Sequence, residues 1–287
     1  MPVAPVTKVV TSYLRPHKRF PSVWCPGCGV GIVLGAFLRA VDGLGIDRDK
    51  IVVVSGIGCT SRMPVYVDFC GLHTTHGRAL AFATGIKFAK PELTVIVIMG
   101  DGDAIAIGGN HFIHAARRNI DLTAIVVNNE TYGMTGGQYS PTTPRGSSGS
   151  TSRHGNIEPP FDICDLARAS GATYVAREAV YNARRLEALI SGGIKKRGFS
   201  LIEAVSNCYT VYGRYNDYES NIEMLKWQKE HAVPIQSWQK LPEEERDAKF
   251  STGVLFEKEA PEYVDEYEKL IERLGGKTGG LKSESQP

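Results

Sequence analysis

The stretch 94-TVIVIMGDGDAIAIGGNHFIHAARRNIDLTAIVVNN-129 holds two apolar, β-branched runs with a segment of helical length between them. Runs this short and apolar at every position, rather than at every second one, read as strands buried on both faces of a parallel sheet. The first ends in Gly100-Asp101-Gly102 and the second in Asn128-Asn129. A strand–helix–strand unit therefore brings Asp101 and Asn129 out side by side at the carboxyl edge, where open α/β sheets bind their ligands. A carboxylate and an amide oxygen are hard donors suited to Mg2+, which completes its octahedral shell with water and phosphate oxygens. A diphosphate is the expected third party. Gly100 and Gly102 permit close backbone approach, and the amides of 102-GDAIAIGG-109 can receive phosphate oxygens at a helix start.

Outward from this unit the alternation continues. The run 51-IVVVSG-56 repeats the buried-strand pattern, and 77-GRALAFATGIKFAKP-91 and 108-GGNHFIHAARRN-119 have helical spacing, the first stopped by Pro91. A further strand, helix and strand are expected at 173–177, 182–197 and 199–206. The fold class is α/β, an open, mostly parallel sheet with helices on both faces. Residues 131–156, rich in Gly, Ser, Thr and Pro, are too long for an idle connection and read as a functional loop. Two regions are expected: an α/β domain over 1–215 that includes an N-terminal cysteine segment, and a charged helical extension over 216–287. In the extension, 242-PEEERDAKF-250 and 261-PEYVDEYEKLIERL-274 read as exposed helices and GGKTGGLKSESQP as a disordered end.

With 287 residues and 42% of them apolar, the chain can build a large soluble core. Its 33 Lys and Arg against 31 Asp and Glu give a net charge of +2, so no field is expected that draws in nucleic acid or a membrane surface. No apolar run is long enough to span a bilayer and the N-terminus lacks a signal-peptide pattern, which reads as cytoplasmic. In that reducing setting the six cysteines are expected as ligands or buried residues rather than as a disulfide framework. Cys25 and Cys28, in 24-WCPGCGVGIV-33, have a C-x-x-C spacing that serves zinc, an iron–sulfur cluster or a redox disulfide equally.

The GDG and NN pair resembles the thiamine diphosphate motif, in which the Asp, the second Asn and a main-chain carbonyl two residues later bind the metal. Those positions are Asp101, Asn129 and Thr131. Together with 24-WCPGCG-29, 56-GIGC-59, 76-HGRALAFATGIK-87 and 132-YGMTGGQ-138, it makes residues 13–215 similar to the β subunit of the 2-oxoacid:ferredoxin oxidoreductases. The resemblance implies cofactor contacts from Ile57, Gly58, Cys59, His76, Gly77, Gly100, Asp101, Gly102, Asp103, Asn129, Thr131, Gly133, Met134 and Thr135. His76 is the catalytic candidate, facing the diphosphate or the reacting carboxylate, with a helix-capping or structural histidine as the rival reading. The resemblance also implies a 4Fe-4S cluster on Cys25, Cys28, Cys59 and Cys208. Four cysteines satisfy structural zinc as well, although zinc ribbons generally pair two C-x-x-C units while Cys59 and Cys208 stand singly. Cys164 reads as a small buried residue and Cys70, in DFCG, as the same, its closeness to Cys59 making it the one substitute ligand. His73, His111 and His114 read as structural, and Arg117 and Arg118 as solvated helix ends.

The implied activity is oxidative decarboxylation of a 2-oxoacid on thiamine diphosphate, with the cluster taking electrons singly, coenzyme A receiving the acyl group and ferredoxin collecting the electrons. The form GMTGGQ with SPTTP resembles 2-oxoglutarate members; some relatives carry a Lys where Gly136 stands. Thiamine enzymes also need a second domain whose glutamate pairs with the aminopyrimidine. After Ser206 only about 80 residues remain, too few for a further domain of about 100 to 150. Glu203 belongs to a strand of the sheet and Glu130 adjoins the metal motif. An α subunit is therefore expected to supply the missing half in an obligate hetero-oligomer, a dimer of αβ. The rival readings are a non-oxidative thiamine diphosphate-dependent decarboxylase or synthase subunit, and a zinc-binding structural module.

Overall fold

A computed structural model of the chain describes residues 5–18 and 20–275. Its strands are β1 (Ile51–Ser55), β2 (Cys70–His73), β3 (Thr94–Gly100), β4 (Thr123–Asn128), β5 (Thr131–Tyr132), β6 (Gln138–Tyr139), β7 (Tyr174–Ala179), β8 (Ser200–Val205), β9 (Ala232–Pro234) and β10 (Phe250–Glu257). Eight of them form one sheet in the order β2-β1-β3-β4-β8-β7-β10-β9, and β5 and β6 form a separate hairpin. From β2 through β7 every neighbour is parallel. Only β10 runs against its neighbour β7.

The strands are apolar throughout because both faces are covered. Ile51, Val53, Ile96, Ile98, Ile125 and Val127 pack under the helices Gly29–Leu44 and Ala183–Lys195. The alternate residues Val52, Val54, Val95, Val97, Ala124 and Val126 pack under Ala79–Ala89, Gly109–Arg117 and Ile163–Ser170. That division follows from the two-residue period of a strand.

The connection from β1 leads outward to β2, whereas β3 and β4 build in the other direction. The strand order thus reverses between β1 and β3, which opens a crevice beyond their carboxyl ends. Gly56–Thr60 leave β1 there and Asp101 leaves β3. Because β1, β3, β4 and β8 are parallel, Asn129 and Cys208 emerge along the same edge.

The expected strands at 51–56, 94–100, 123–129, 173–177 and 199–206 and the helices between them are present within a residue or two. The segment 216–287 departs from the charged helical extension expected of it. Helices are present at Asn221–His231 and Tyr263–Arg273, but 242–250 is helical only over Glu243–Arg246, and Phe250 opens β10. This strand escaped the periodicity reading because Gly253 is at φ +108° and the register slips between Val254 and Phe256. The edge strand β2, CGLH, has no apolar run; pairing with Val52–Ser55 makes it a strand. The GGKTGGLKSESQP end lies, apart from Gly275, outside the described residues. Among the described residues no helix is long and apolar enough to cross a membrane.

Asn119 ties these parts together. It is buried, at φ 50°, and its Oδ1 accepts from the Phe199 amide at 2.8 Å and the Thr173 hydroxyl at 3.2 Å. Its Nδ2 donates to the carbonyls of Pro261 and Ala260 at 2.9 and 3.3 Å. Asn119→Ala strands a buried amide and loses the residue type that tolerates a left-handed backbone. Unfolding free energy should fall by about 2 to 4 kcal/mol, read as a lower urea midpoint with unchanged slope.

Candidate active site

One cavity at the carboxyl edge is lined by Ile57, Gly58, Cys59, Thr60, His76, Gly100, Asp101, Gly102, Asp103, Asn129, Thr131, Tyr132, Gly133, Met134 and Thr135. All the cofactor-contact positions expected from the sequence meet there except Gly77, which sits behind His76. Thr60 and Tyr132 are additions. Tyr132 explains one glycine: a Cβ on Gly102 would lie 2.2 Å from its ring.

Asp101 is 3% exposed. Burial pushes its carboxyl pKa up, against the hydrogen bonds from Ser140, Thr142 and the Gly102 amide that favour the charged form. The Ser140 and Thr142 hydroxyls both donate to Oδ2, each at 2.6 Å. These two residues belong to the long 131–156 segment, which is folded down onto the site. Its hairpin turns at Gly136 and Gly137, at φ +111° and +92°, a backbone in which the Lys of some relatives would be strained. Thr143 Oγ1 donates to the Glu130 carbonyl at 2.5 Å, and Asn128 Oδ1 accepts from the Glu130 amide at 3.2 Å. Glu130, at φ +61°, is thus clamped between Asn129 and Thr131. Its carboxyl is turned to the enclosed side near Tyr212, where burial raises its pKa to about 7 and the Asp101 charge adds to the rise.

Asp103 lines the cavity but directs its carboxylate at the protein. Oδ1 receives the Gly77 amide at 2.7 Å, the Ile57 amide at 3.3 Å and His76 Nδ1 at 2.5 Å. A carboxylate accepts only, so Nδ1 carries the hydrogen and Nε2 is the nitrogen His76 has left to offer the cavity. Gly56 makes room for this clamp: a Cβ there would lie 2.1 Å from Asp103 Oδ2.

A second cavity adjoins the first and is lined by Cys25, Cys28, Cys59 and Cys208 together with Trp24, Arg62, Asn129, Gly133 and Met134. Cys59, Asn129, Gly133 and Met134 line both. Trp24 donates its indole N–H to the Cys59 carbonyl at 2.8 Å, and Cys28 immediately precedes the helix Gly29–Leu44 without a side-chain capping bond. Burial pushes the Cys28 thiol up to about 12, and the nearness of Cys208, Cys59 and Cys25 adds to it. Cys59 and Cys208 are raised for the same reasons. To ionise together, sulfurs crowded in this way would need a cationic group among them.

Among the described residues, only Asp162, Cys164 and Glu203 bring three metal-ligating atoms within 4.8 Å of one another. The four cavity sulfurs are more widely set than thiolates on one tetrahedral zinc, about 3.8 Å apart given a Zn–S bond of about 2.3 Å. Spacing of this kind leaves room for a cluster of several metals. Cys70 departs from the buried position expected of it: it is exposed on the edge strand β2, and it does not line the cavity.

Cys164 is buried as expected, but beside charge rather than in purely apolar surroundings. Its thiol donates to Glu203 Oε2 at 3.2 Å, the oxygen that also receives Arg177 Nε at 2.7 Å, while Arg177 NH2 pairs with Asp162 at 2.7 Å. Arg177 supplies the countercharge there. Glu203 Oε1 accepts from Asn128 at 2.8 Å, so this glutamate braces the metal-motif strand. His73 has the structural role expected, with Nδ1 at 3.0 Å from Ser55 Oγ. Both Arg117 and Arg118 are exposed.

Residues 56–204 match the thiamine pyrophosphate enzyme C-terminal TPP-binding domain. The chain is 51% identical, over 94% of its length and 95% of the relative's, to the 2-oxoglutarate synthase subunit KorB of Methanothermobacter marburgensis. It is 62% identical to the subunit of that name from Archaeoglobus fulgidus over 69% of this chain and 73% of the relative. A solved 2-oxoglutarate:ferredoxin oxidoreductase from Magnetococcus marinus, with 2-oxoglutarate, coenzyme A and succinyl-CoA bound, superposes with a TM-score of 0.83 at 35% identity. That match covers 97% of this chain and 96% of the other.

The exposures yield a labelling test. In the metal-free chain, Cys25 and Cys70 should react first with a maleimide and Cys164 last. Loading iron and sulfide should then protect Cys25 and leave Cys70 reactive. Protection of both, or of neither, in peptide mass spectra would contradict the cavity drawn here.

Proposed function

This chain belongs to the β subunits of the 2-oxoacid:ferredoxin oxidoreductases, and from that premise we propose that it serves the CoA-dependent oxidative decarboxylation of 2-oxoglutarate to succinyl-CoA with reduction of ferredoxin. The observation that carries the reading is the wall common to its two cavities, Cys59, Asn129, Gly133 and Met134, which puts four thiols next to a site of diphosphate and metal character. A non-oxidative thiamine enzyme has no use for the second cavity.

On this reading Asp101, Asn129 and the Thr131 carbonyl would hold Mg2+ and through it the diphosphate. They form a hard, all-oxygen donor set, and the buried Asp101 charge calls for a cation. Cys25, Cys28, Cys59 and Cys208 would hold a 4Fe-4S cluster, for which thiolates are the ordinary ligands. When bound, thiamine diphosphate supplies the nucleophilic carbon and electron sink for decarboxylation, and the cluster supplies one-electron transfer.

The chain's own residues orient and shield. Ser140 and Thr142 fix one oxygen of Asp101 so that the carboxylate cannot rotate. The Asp103 clamp sets the His76 tautomer, and Nε2 can then accept or return a proton at the substrate end of the cavity. Succinyl-CoA formation requires coenzyme A as co-substrate. An α subunit supplies the rest of the pocket in a dimer of αβ. A cytoplasmic setting would keep the exposed Cys25 and Cys70 reduced.

Calorimetric titration of the αβ complex with thiamine diphosphate and Mg2+ tests the metal site. Asp101→Ala should abolish binding. Thr142→Val removes one hydrogen bond to the charged group and should weaken binding about five- to tenfold, while Thr142→Ser restores it. Unchanged affinity in Asp101→Ala would reject the assignment.

Glu203 is engaged by Asn128, Arg177 and Cys164, and the Glu130 carboxyl is bonded to Tyr212 on the enclosed side, so neither is free to serve the aminopyrimidine. The cluster-loaded chain alone should therefore give no CoA-dependent turnover and should gain it when the α subunit is added. Full turnover by the isolated chain would overturn the partner requirement.

A further inference from the structure

Of the four cysteines in the second cavity, only Cys25 is exposed. It lies in an acid-free part of the sequence: the first acidic residue is Asp42, and before it stand Lys8, Arg15, His17, Lys18, Arg19 and Arg39. Lys18 is joined to the cavity through a short chain of contacts. Its Nζ lies 5.9 Å from the centre of the Tyr66 ring, and that ring is 5.0 Å from Trp24, whose indole N–H is bonded to the Cys59 carbonyl. Tyr66 also accepts from the Val23 amide at 2.6 Å. Arg62, exposed, lines the same cavity. Close by in sequence, Phe20 and Val23 are 53% and 63% exposed, and Val23 lines the cavity with Arg62. On the other side Asn221 lines the cavity, with exposed Glu219 and Glu223 as its neighbours in sequence. Arg214 stands there too, 5.9 Å from the ring of Tyr209, another lining residue, so the charge there is mixed, whereas Lys18 and Arg62 bring only cations.

We infer that the face formed by Lys18, Phe20, Val23 and Arg62 beside Cys25 is the docking surface for an acidic one-electron carrier protein of the ferredoxin class. The carrier seats its carboxylates on Lys18 and Arg62, away from Glu219 and Glu223. This rests on the reading that the four cysteines hold a redox cluster, of which Cys25 is then the ligand nearest solvent. Electron-transfer encounters are small and transient, so a compact apolar centre suffices for contact while long-range charge sets orientation and on-rate.

The test uses the cluster-loaded αβ complex and an oxidised, acidic ferredoxin, titrated without substrate. Binding should weaken steeply as salt rises from low to physiological strength. Lys18→Glu should raise the ferredoxin Kd at low salt about fivefold or more and flatten the salt dependence, Phe20→Asp should act likewise, and Glu219→Lys should leave binding intact or tighten it. In all three, 2-oxoglutarate-driven reduction of methyl viologen and co-elution with the α subunit should be unchanged. An unaltered Kd in both Lys18→Glu and Phe20→Asp would overturn the proposal, as would their release of the α subunit, which would make this face the subunit interface. Wild-type complex devoid of iron and sulfide would overturn the underlying cluster reading and the docking face with it.

Discussion

A carboxylate sealed beneath a protein surface must be answered by donors or by a cation, and the carboxyl edge of this sheet is organised around that demand at Asp101. The parallel strands bring Asp101 to the crevice between β1 and β3, where the strand order reverses. Ser140 and Thr142 descend on one of its oxygens, which gives the 131–156 segment a reason to be folded rather than loose. The same segment grips the Glu130 carbonyl through Thr143, so the left-handed residue between Asn129 and Thr131 is fixed from outside. Backbone strain of this sort persists only where surrounding contacts over-determine it, and it gathers at functional sites. A five-residue π-helical turn follows Asp101 at Gly102–Ala106, and another follows Cys208 at Tyr209–Gly213. Such turns also concentrate where side chains must be re-aimed.

The thiol cavity poses the complementary problem. Three of its cysteines are partly buried and raised in pKa, chiefly by that burial, so as free thiols they are neutral at physiological pH. Their grouping is costly to explain by packing alone: Cys25 and Cys28 come from the N-terminal turn, Cys59 from the end of β1 and Cys208 from beyond β8. Parallel topology is what makes such distant positions converge, because every strand delivers its following residue to the same edge. Trp24 fixes the N-terminal turn to this edge through the Cys59 carbonyl. Asn207 secures the other side, donating to the Gly27 carbonyl at 2.9 Å.

What could be read from the chain beforehand follows from what leaves a local signature. Strands buried on both faces announce themselves as unbroken apolar runs, so β1, β3, β4 and β8 and the polar residues at their ends were legible, and with them nearly the whole cofactor cavity. Ser140 and Thr142 were not, although SPTTP was in plain view. A hydroxyl that supports a carboxylate 39 or 41 residues away has no periodicity to betray it. Asp103 was legible as part of the GDGD run, but its service to His76 depends on three segments meeting. Strands β2, β9 and β10 draw their stability from pairing across the sheet rather than from their own composition, and β10 is further disguised by its glycine and bulge. The C-terminal segment thus builds sheet where dense charge suggested only helices.

The rim of the cofactor cavity carries one more constraint. Ile57, Met134 and Ile107 are 37%, 45% and 50% exposed around or beside the residues that would receive the cofactor. Apolar side chains exposed singly on a surface carry no message, but gathered at the mouth of a polar site they mark where another surface closes. Exclusion of water strengthens every electrostatic interaction inside such a site, including that between Asp101 and a bound cation. Among the described residues no element is left to provide the closure: β10 and β9 complete the far edge of the sheet, and the helix Tyr263–Arg273 is tied down by Arg197 and the Glu262 cap. The open mouth, the engaged Glu203 and the clamped Glu130 therefore have a common cause. As one subunit of a hetero-oligomer, the chain holds the Asp101 carboxylate and four thiols in place at an edge that its own described residues leave open.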